Sequence, residues 1–200
     1  MNSSFLLWGQ VLLAVLAGAL SFLLLLQFGL PRDTIRVLGV GYFLTLFLML
    51  LTDVLTWWGF SVVFHYPEIY AVFMGLMGFT WPSFLWLALL ESPTQLQRKI
   101  MWRLPLVGAL LGHALGTTVG IGIFFVGWLV GFVLIVYYAK QQRYILRTAV
   151  ALFVTYFCYI FVREKSLLVA QLFFAAWIVL MHKTVNALLV KNHVRNALVR

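Results

Sequence analysis

The chain has 200 residues, of which 64% are hydrophobic and 10% are charged, and its mean hydropathy is +1.03. Soluble domains are about 45–50% apolar and about 25% charged. This composition therefore excludes a soluble globular domain and predicts an all-α integral membrane protein. With 5 acidic residues and 4 histidines, the chain offers little for acid–base catalysis, and its single cysteine excludes an internal disulfide.

Seven apolar segments are candidates for transmembrane helices, because a span needs about 20 mostly apolar residues at 1.5 Å of rise each. In chain order they are Phe5–Phe28, Ile35–Trp58, Ile69–Leu90, Leu104–Val119, Ile121–Ala139, Ile145–Val162 and Leu167–His182. Prolines and charged residues separate most of them, as at Pro31, Pro93 and Arg163–Lys165. The sequence predicts a seven-helix bundle.

The fourth and fifth spans need a turn between them that carries no charge. As a single helix, the uncharged run from Leu104 to Ala139 would measure about 54 Å, against a hydrocarbon core of roughly 30 Å. The glycine-rich stretch Gly116–Gly122 is the part of this run that resembles a turn. We therefore expect the chain to fold back there with almost no loop.

The 14 basic residues predict the orientation of the bundle. With the N-terminus outside, only Arg163 and Lys165 lie in outer segments. The others lie in inner segments: Arg32, Arg36, Arg98, Lys99, Arg103, Lys140, Arg143, Arg147, Lys183, Lys191, Arg195 and Arg200. This bias follows the positive-inside rule. It predicts a multi-pass protein of the cell membrane (the inner membrane in a bacterium) with a cytoplasmic C-terminus, and the net charge of +9 then indicates orientation and not nucleic-acid binding.

Four glycines at spacings of four residues mark the fourth span, namely Gly108, Gly112, Gly116 and Gly120. Residues four apart share a helix face, and a face of small residues lets two helices approach closely in a membrane. We expect this face to pack inside the bundle; a seam between copies of the chain and the lining of a narrow path are the alternatives. Gly127 and Gly131 repeat the spacing once, which favours pairing of the fourth and fifth helices and predicts that Gly127 tolerates larger residues better than Gly112.

Four polar residues at membrane depth are candidates for a binding pocket, because burying polar groups in a bilayer is costly. Asp53, Gln10 and Gln171 fall at similar depths near the outer face, where they form either a polar pocket or, for Asp53, an interfacial residue that reaches water. His113 falls near mid-membrane, where it forms either an interhelical hydrogen bond or a ligand or proton-relay site. Pro82 is expected to kink the third span.

The sequence predicts two domains, a seven-helix transmembrane domain over residues 1–183 and a basic amphipathic cytoplasmic helix over 184–200. The apolar residues of the second domain include Val185, Leu188 and Leu189, and its basic residues include Lys191 and Arg195. Such a helix either lies on the anionic inner leaflet or docks a cytoplasmic partner.

The residues argue against several chemistries, and no cofactor is expected. A haem needs two histidines at matching depth, a zinc site needs clustered ligands, and a serine hydrolase needs a strained nucleophile turn; the sequence has none of these patterns. In gross plan the chain resembles the seven-helix input modules of bacterial sensors, but it carries no motif of that family. The lead hypothesis is a non-enzymatic membrane module that senses or docks and signals to a partner through the basic C-terminal helix. A homo-oligomer is also compatible with the glycine face.

Two other function classes remain open from the sequence. A small carrier or channel for an apolar or weakly polar solute is favoured by the glycine face and Pro82. A membrane enzyme acting on a lipid would have few acid–base residues to use: Asp53, His65, Glu68 and Glu91.

Overall fold

The computed structural model describes residues 3–28, 33–58, 66–90, 93–138, 143–163 and 165–198, and these residues form seven α-helices. The helices are α1 Ser3–Phe28, α2 Thr34–Trp57, α3 Tyr66–Leu89, α4 Gln95–Leu115, α5 Thr117–Tyr138, α6 Arg143–Arg163 and α7 Leu167–Leu198. All except α4 are long and apolar enough to cross a membrane. The predicted all-α class is confirmed, and the six apolar helices indicate a multi-pass membrane protein. Of the residues used above, those outside the described ranges are Pro31, Arg32, His65, Glu91, Ala139, Lys140 and Arg200.

Helix α4 departs from the predicted fourth span. It begins at Gln95 and not at Leu104, because Thr94 and Gln97 form a capping box in which each side chain accepts a hydrogen bond from the other residue's backbone N–H. The helix therefore includes Arg98, Lys99 and Arg103 in its first half. Its uncharged part, 104–115, measures only about 18 Å, which is shorter than a bilayer core. The predicted fourth span is thus corrected to a helix that is charged at its start and apolar at its end.

The turn between α4 and α5 is a single residue, Gly116. Its φ of +83° lies in the left-handed region that favours glycine, and its backbone N–H donates to the Gly112 carbonyl at 3.0 Å. Helix α5 starts at once with Thr117, whose hydroxyl donates to the Pro67 carbonyl of α3 at 3.0 Å. The chain folds back where the sequence predicts, but at the first residue of the predicted turn.

Helix α3 lies at the centre of the arrangement and packs against α2, α4, α5 and α7. Helix α1 packs against α2 and α7, and α6 packs mainly against α7. The largest fully buried side chains come from three of the inner helices: Tyr42 and Phe43 of α2, Phe84 of α3 and Trp177 of α7. The core therefore lies between α2, α3 and α7.

Contacts between helix ends show that successive helices run in alternating directions. At one end of the bundle, the Arg36 guanidinium donates to the Phe28 carbonyl at 3.0 Å and lies 3.0 Å from Nδ1 of His193. This end, which we call the basic end, also carries Arg98 at the start of α4. Arg163 and Lys165 lie at the opposite end, at the junction of α6 and α7.

Helix α7 is continuous through the predicted domain boundary at residue 184. Val185, Leu188 and Leu189 are buried in the bundle, so the apolar face of the predicted C-terminal helix extends the packing surface of α7. The Asn192 side chain donates to the carbonyls of Leu188 at 2.9 Å and of Ala88, near the end of α3, at 3.2 Å. Up to residue 198, the last one described, residues from 184 onward therefore continue α7.

Candidate functional site

The glycines of α4 and α5 pack against a face of small residues on α3. A methyl group added at Gly108 would overlap the Gly75 carbonyl, and one added at Gly112 would overlap the Ala71 carbonyl. On α5, a methyl group at Gly120 would lie 2.7 Å from the Ala71 oxygen. Because the atoms met are backbone atoms, the helices are in direct main-chain contact here.

These contacts differ in two ways from the glycine face proposed from the sequence. Gly120 belongs to α5 and Gly116 is the turn, so only Gly108 and Gly112 share a helix. In addition, the glycines of α4 and α5 face α3 and not each other. The spacing of four residues continues across the turn, so the four glycines do not form one face of one helix.

A second close contact lies beside Pro82. Proline has no N–H, so Pro82 leaves the Gly78 carbonyl of α3 without its usual helical donor. This carbonyl faces Gly127 of α5, where an added methyl group would overlap it. The approach of the Gly127 Cα to this oxygen is the geometry of a weak Cα–H···O contact.

An apolar cleft opens between α3, α4 and α5 next to this contact. Its volume is about 590 Å³, within the range of small-molecule sites. Residues from all three helices line it, among them Pro82, Ser83 and Trp86 of α3, Met101 and Leu104 of α4, and Gly122, Val126, Val130 and Leu134 of α5. Val126 is 62% exposed and Val130 is 44% exposed, so the cleft opens at the outer surface of the bundle.

The cleft is long and narrow. On α5 its lining runs from Val119 to Leu134, a distance of about 22 Å along the helix. This exceeds half of a bilayer core of roughly 30 Å. Its shape therefore suits an extended hydrocarbon chain better than a compact solute.

Two polar atoms in this apolar lining have no hydrogen-bond partner among the described residues. They are the hydroxyl oxygen of Ser83, a residue that is 1% exposed, and the indole Nε1 of Trp86. Ser83 and Trp86 lie one helical turn apart on α3, and both line the cleft. Leaving buried polar groups unpaired costs free energy. Both atoms are closed to solvent, so a ligand in the cleft can pair with them once the Ser83 and Trp86 side chains rotate toward it.

The structure describes different surroundings for the residues of the polar pocket proposed from the sequence. Asp53 lies near enough to Tyr70 of α3 and Tyr159 of α6 to act on them electrostatically, and so does Arg163. These residues lie toward the end of the bundle opposite the basic end.

Gln171 and Gln10 lie where α7 meets α1. Gln171 is buried, and its side-chain amide lies directly against Gly9. The adjacent Gln10 has a buried side-chain oxygen without a hydrogen-bond partner among the described residues. His113 is exposed on α4, because it follows Gly112 by one residue and so points about 100° away from the face that packs on α3.

The sequence predicts no site at the cleft, although Pro82 and Gly127 each stand out in it separately. The available signal was their combination, a proline inside one apolar helix and a glycine pattern on another. Which helices pair, however, is not encoded in either pattern. Among the described residues, no group of three or more His, Cys, Asp and Glu side chains is placed to hold a metal ion.

No family model, curated protein or solved structure matches this chain.

Proposed function

We propose that this protein is a non-enzymatic membrane module that binds an apolar molecule of the bilayer in the cleft between α3, α4 and α5 and signals its presence to a partner protein. The observation that carries the proposal is the cleft itself. It is apolar, long, and open at the surface that six apolar helices would expose to lipid. A molecule dissolved in the bilayer would enter it sideways, without crossing water.

A route for the signal is supported by the contact between α3 and α7. The cleft lies against Pro82 and Trp86 of α3, and near the end of the same helix the Ala88 carbonyl accepts a hydrogen bond from Asn192 of α7. A ligand that shifts the end of α3 would therefore shift the last turns of α7. On those turns Val190 and Val194 are exposed and give a partner an apolar surface.

The orientation belongs to the same proposal. The excess of basic residues at one end of the bundle supports a cytoplasmic location for that end and for the C-terminal turns of α7. A partner would then bind in the cytoplasm.

Gly122→Leu tests occupancy of the cleft. Gly122 lines the cleft, and a Cβ added there meets no atom within 4 Å, so a leucine fills the cleft without displacing a helix. Gly41→Leu on α2 is the matched control, since Gly41 also has open space and lies away from the cleft. Both variants should fold.

The readout is photocrosslinking in vesicles of a lipid with a diazirine in its acyl chain, mapped by mass spectrometry. We expect adducts on the buried cleft residues around Ser83 in the wild type and in Gly41→Leu, with at least a several-fold loss in Gly122→Leu. Adducts confined to surface residues such as Leu172, with none around Ser83 in any variant, would refute the proposal. Flux of the lipid across the vesicle bilayer would assign a carrier instead.

A further inference from the structure

The geometry of the basic end points to the chemical class of the cleft ligand. Helices α3 and α4 are antiparallel, and their register is set by the facing pairs Gly75–Gly108 and Ala71–Gly112. Carried along both helices, this register places Arg98 of α4 at the level of Leu85 and Trp86 of α3. Arg98 therefore lies at the inner mouth of the cleft, one helical turn before the lining residue Met101.

Arg98 differs from the two basic residues that follow it. Its side chain is half-buried and lies on the same side of α4 as the buried residues Pro105 and Gly112, whereas Lys99 and Arg103 are exposed. The ion pair at the basic end joins Asp33 to Arg36, and none is seen between Arg98 and a carboxylate of the described residues. A guanidinium in this position is suited to two parallel hydrogen bonds with a phosphate group.

The Ser83 hydroxyl and the Trp86 Nε1, which have no described hydrogen-bond partner, lie near the same end of the cleft as Arg98. Trp86 Nε1 is a donor, and the Ser83 hydroxyl both donates and accepts. On this register Ser83 lies about half a helical turn deeper in the cleft than Arg98, and Trp86 lies level with Arg98. In a phospholipid, the ester carbonyl oxygens stand in this relation to the phosphate, between the headgroup and the hydrocarbon chain.

We infer that the cleft binds an anionic ester phospholipid, with one acyl chain along α5, its ester carbonyl at Ser83 and Trp86, and its phosphate at Arg98. This inference rests on the proposed function, since it names the ligand of the same cleft. It adds two kinds of selectivity. Both headgroups carry the phosphate, but a zwitterionic headgroup also places a positive amine near Arg98, so an anionic headgroup is favoured. Only an ester linkage supplies a carbonyl that Ser83 and Trp86 could donate to, so an ester is favoured over an ether.

The test of the headgroup is a competition followed by native mass spectrometry of the full chain. The probe is vesicles of equal parts phosphatidylglycerol and phosphatidylcholine with identical acyl chains. We expect the wild type to retain several-fold more phosphatidylglycerol, Arg98→Gln to lose this preference, and Lys99→Gln, on the exposed side of α4, to keep it. Equal retention of the two lipids by the wild type, or an unchanged preference in Arg98→Gln, would overturn the headgroup assignment.

The test of the linkage repeats the competition with ester-linked and ether-linked phosphatidylglycerol. We expect a preference of a few-fold for the ester in the wild type and none in Ser83→Ala, a change that removes one buried oxygen and creates no clash. Equal binding of both lipids by the wild type would overturn the carbonyl assignment.

These outcomes are distinguishable from failure of the proposed function. If Gly122→Leu removes the crosslinks near Ser83 while Arg98→Gln leaves the headgroup preference unchanged, the cleft binds a chain and the inference about the headgroup is wrong. If Gly122→Leu has no effect on crosslinking, the cleft is not the site, and the proposed function fails with it.

Discussion

Replacing Gly127 with alanine measures how closely α5 approaches α3. The added methyl group would overlap the Gly78 carbonyl oxygen and lie 2.5 Å from the carbonyl carbon. Favourable carbon contacts occur at about 3.5–4.0 Å, so the helices would have to separate by roughly 1 Å. Because the atoms met belong to the backbone, no side-chain rotation relieves the overlap.

The expected cost is that of overpacking, about 1–3 kcal/mol. Alanine also favours a helix over glycine by about 1 kcal/mol, which hides part of this cost. Gly122→Ala, five residues away on the same helix, gains the helical preference without a clash, since its Cβ meets nothing within 4 Å. Because both variants gain the same helical preference, it cancels in the comparison, and the difference in unfolding free energy between them should be about 1–3 kcal/mol.

The assay is unfolding of the purified protein by sodium dodecyl sulfate in mixed micelles, followed by circular dichroism. Gly122→Ala should unfold at the same or a higher detergent fraction than the wild type, and Gly127→Ala at a clearly lower one. Coincident curves for the two variants would refute the close contact between α3 and α5. This expectation replaces the sequence-based one that Gly127 tolerates larger residues better than Gly112, because a methyl group at either position overlaps a backbone carbonyl of α3.

Two further predictions concern α7 and the orientation of the bundle. Asn192→Leu removes the hydrogen bond to Ala88 and should lower the unfolding free energy by about 1 kcal/mol. Asn186→Leu on the same helix removes a buried oxygen without a described partner and should not lower the unfolding free energy. Equal losses in the same detergent titration would contradict the role given to the Ala88 contact. In a Cys158→Ser background, a membrane-impermeant maleimide added outside cells should label a cysteine at Glu68 and not one at Gln95, and the reverse pattern would invert the proposed orientation.

Much of the helical arrangement could be predicted from hydropathy alone. Six of the seven predicted apolar segments correspond to helices that are apolar enough to span a membrane, and the reversal of the chain falls within the predicted glycine stretch. Hydropathy works here because a span must bury every backbone polar group within its own helix. A membrane span is therefore visible in the sequence as one long run of apolar residues.

The start of α4 illustrates where this reasoning fails. A prediction based on the absence of charge begins the helix after Arg103. The capping box at Thr94 shows that the helix begins before Arg98. Charged residues do not end a helix; they only prevent that part of it from lying in the hydrocarbon. The local capping signal was the better guide to the helix boundary, and it places Arg98 within α4, about one helical turn before the cleft residue Met101.

The positions of the polar residues could not be predicted because depth along a helix does not determine angle around it. Asp53 and Gln171 were assigned similar depths, yet Asp53 interacts with α3 and α6 while Gln171 lies against Gly9 of α1. His113 lies on a helix whose glycines face the bundle, but it is itself exposed. Neighbouring residues on a helix point about 100° apart, so a shift of one position changes the environment completely.

The cleft follows from the way α4 and α5 share the small-residue face of α3. Gly112 of α4 and Gly120 of α5 both meet Ala71, close to the one-residue turn at Gly116. From this common point the two helices follow different contacts along α3, through Gly108 on one side and Gly127 on the other, so a gap widens between them. Gly122 of α5 lines this gap and has no side chain to fill it. A hydrocarbon chain in the cleft would supply the van der Waals contacts that α4 and α5 do not make with each other along the gap.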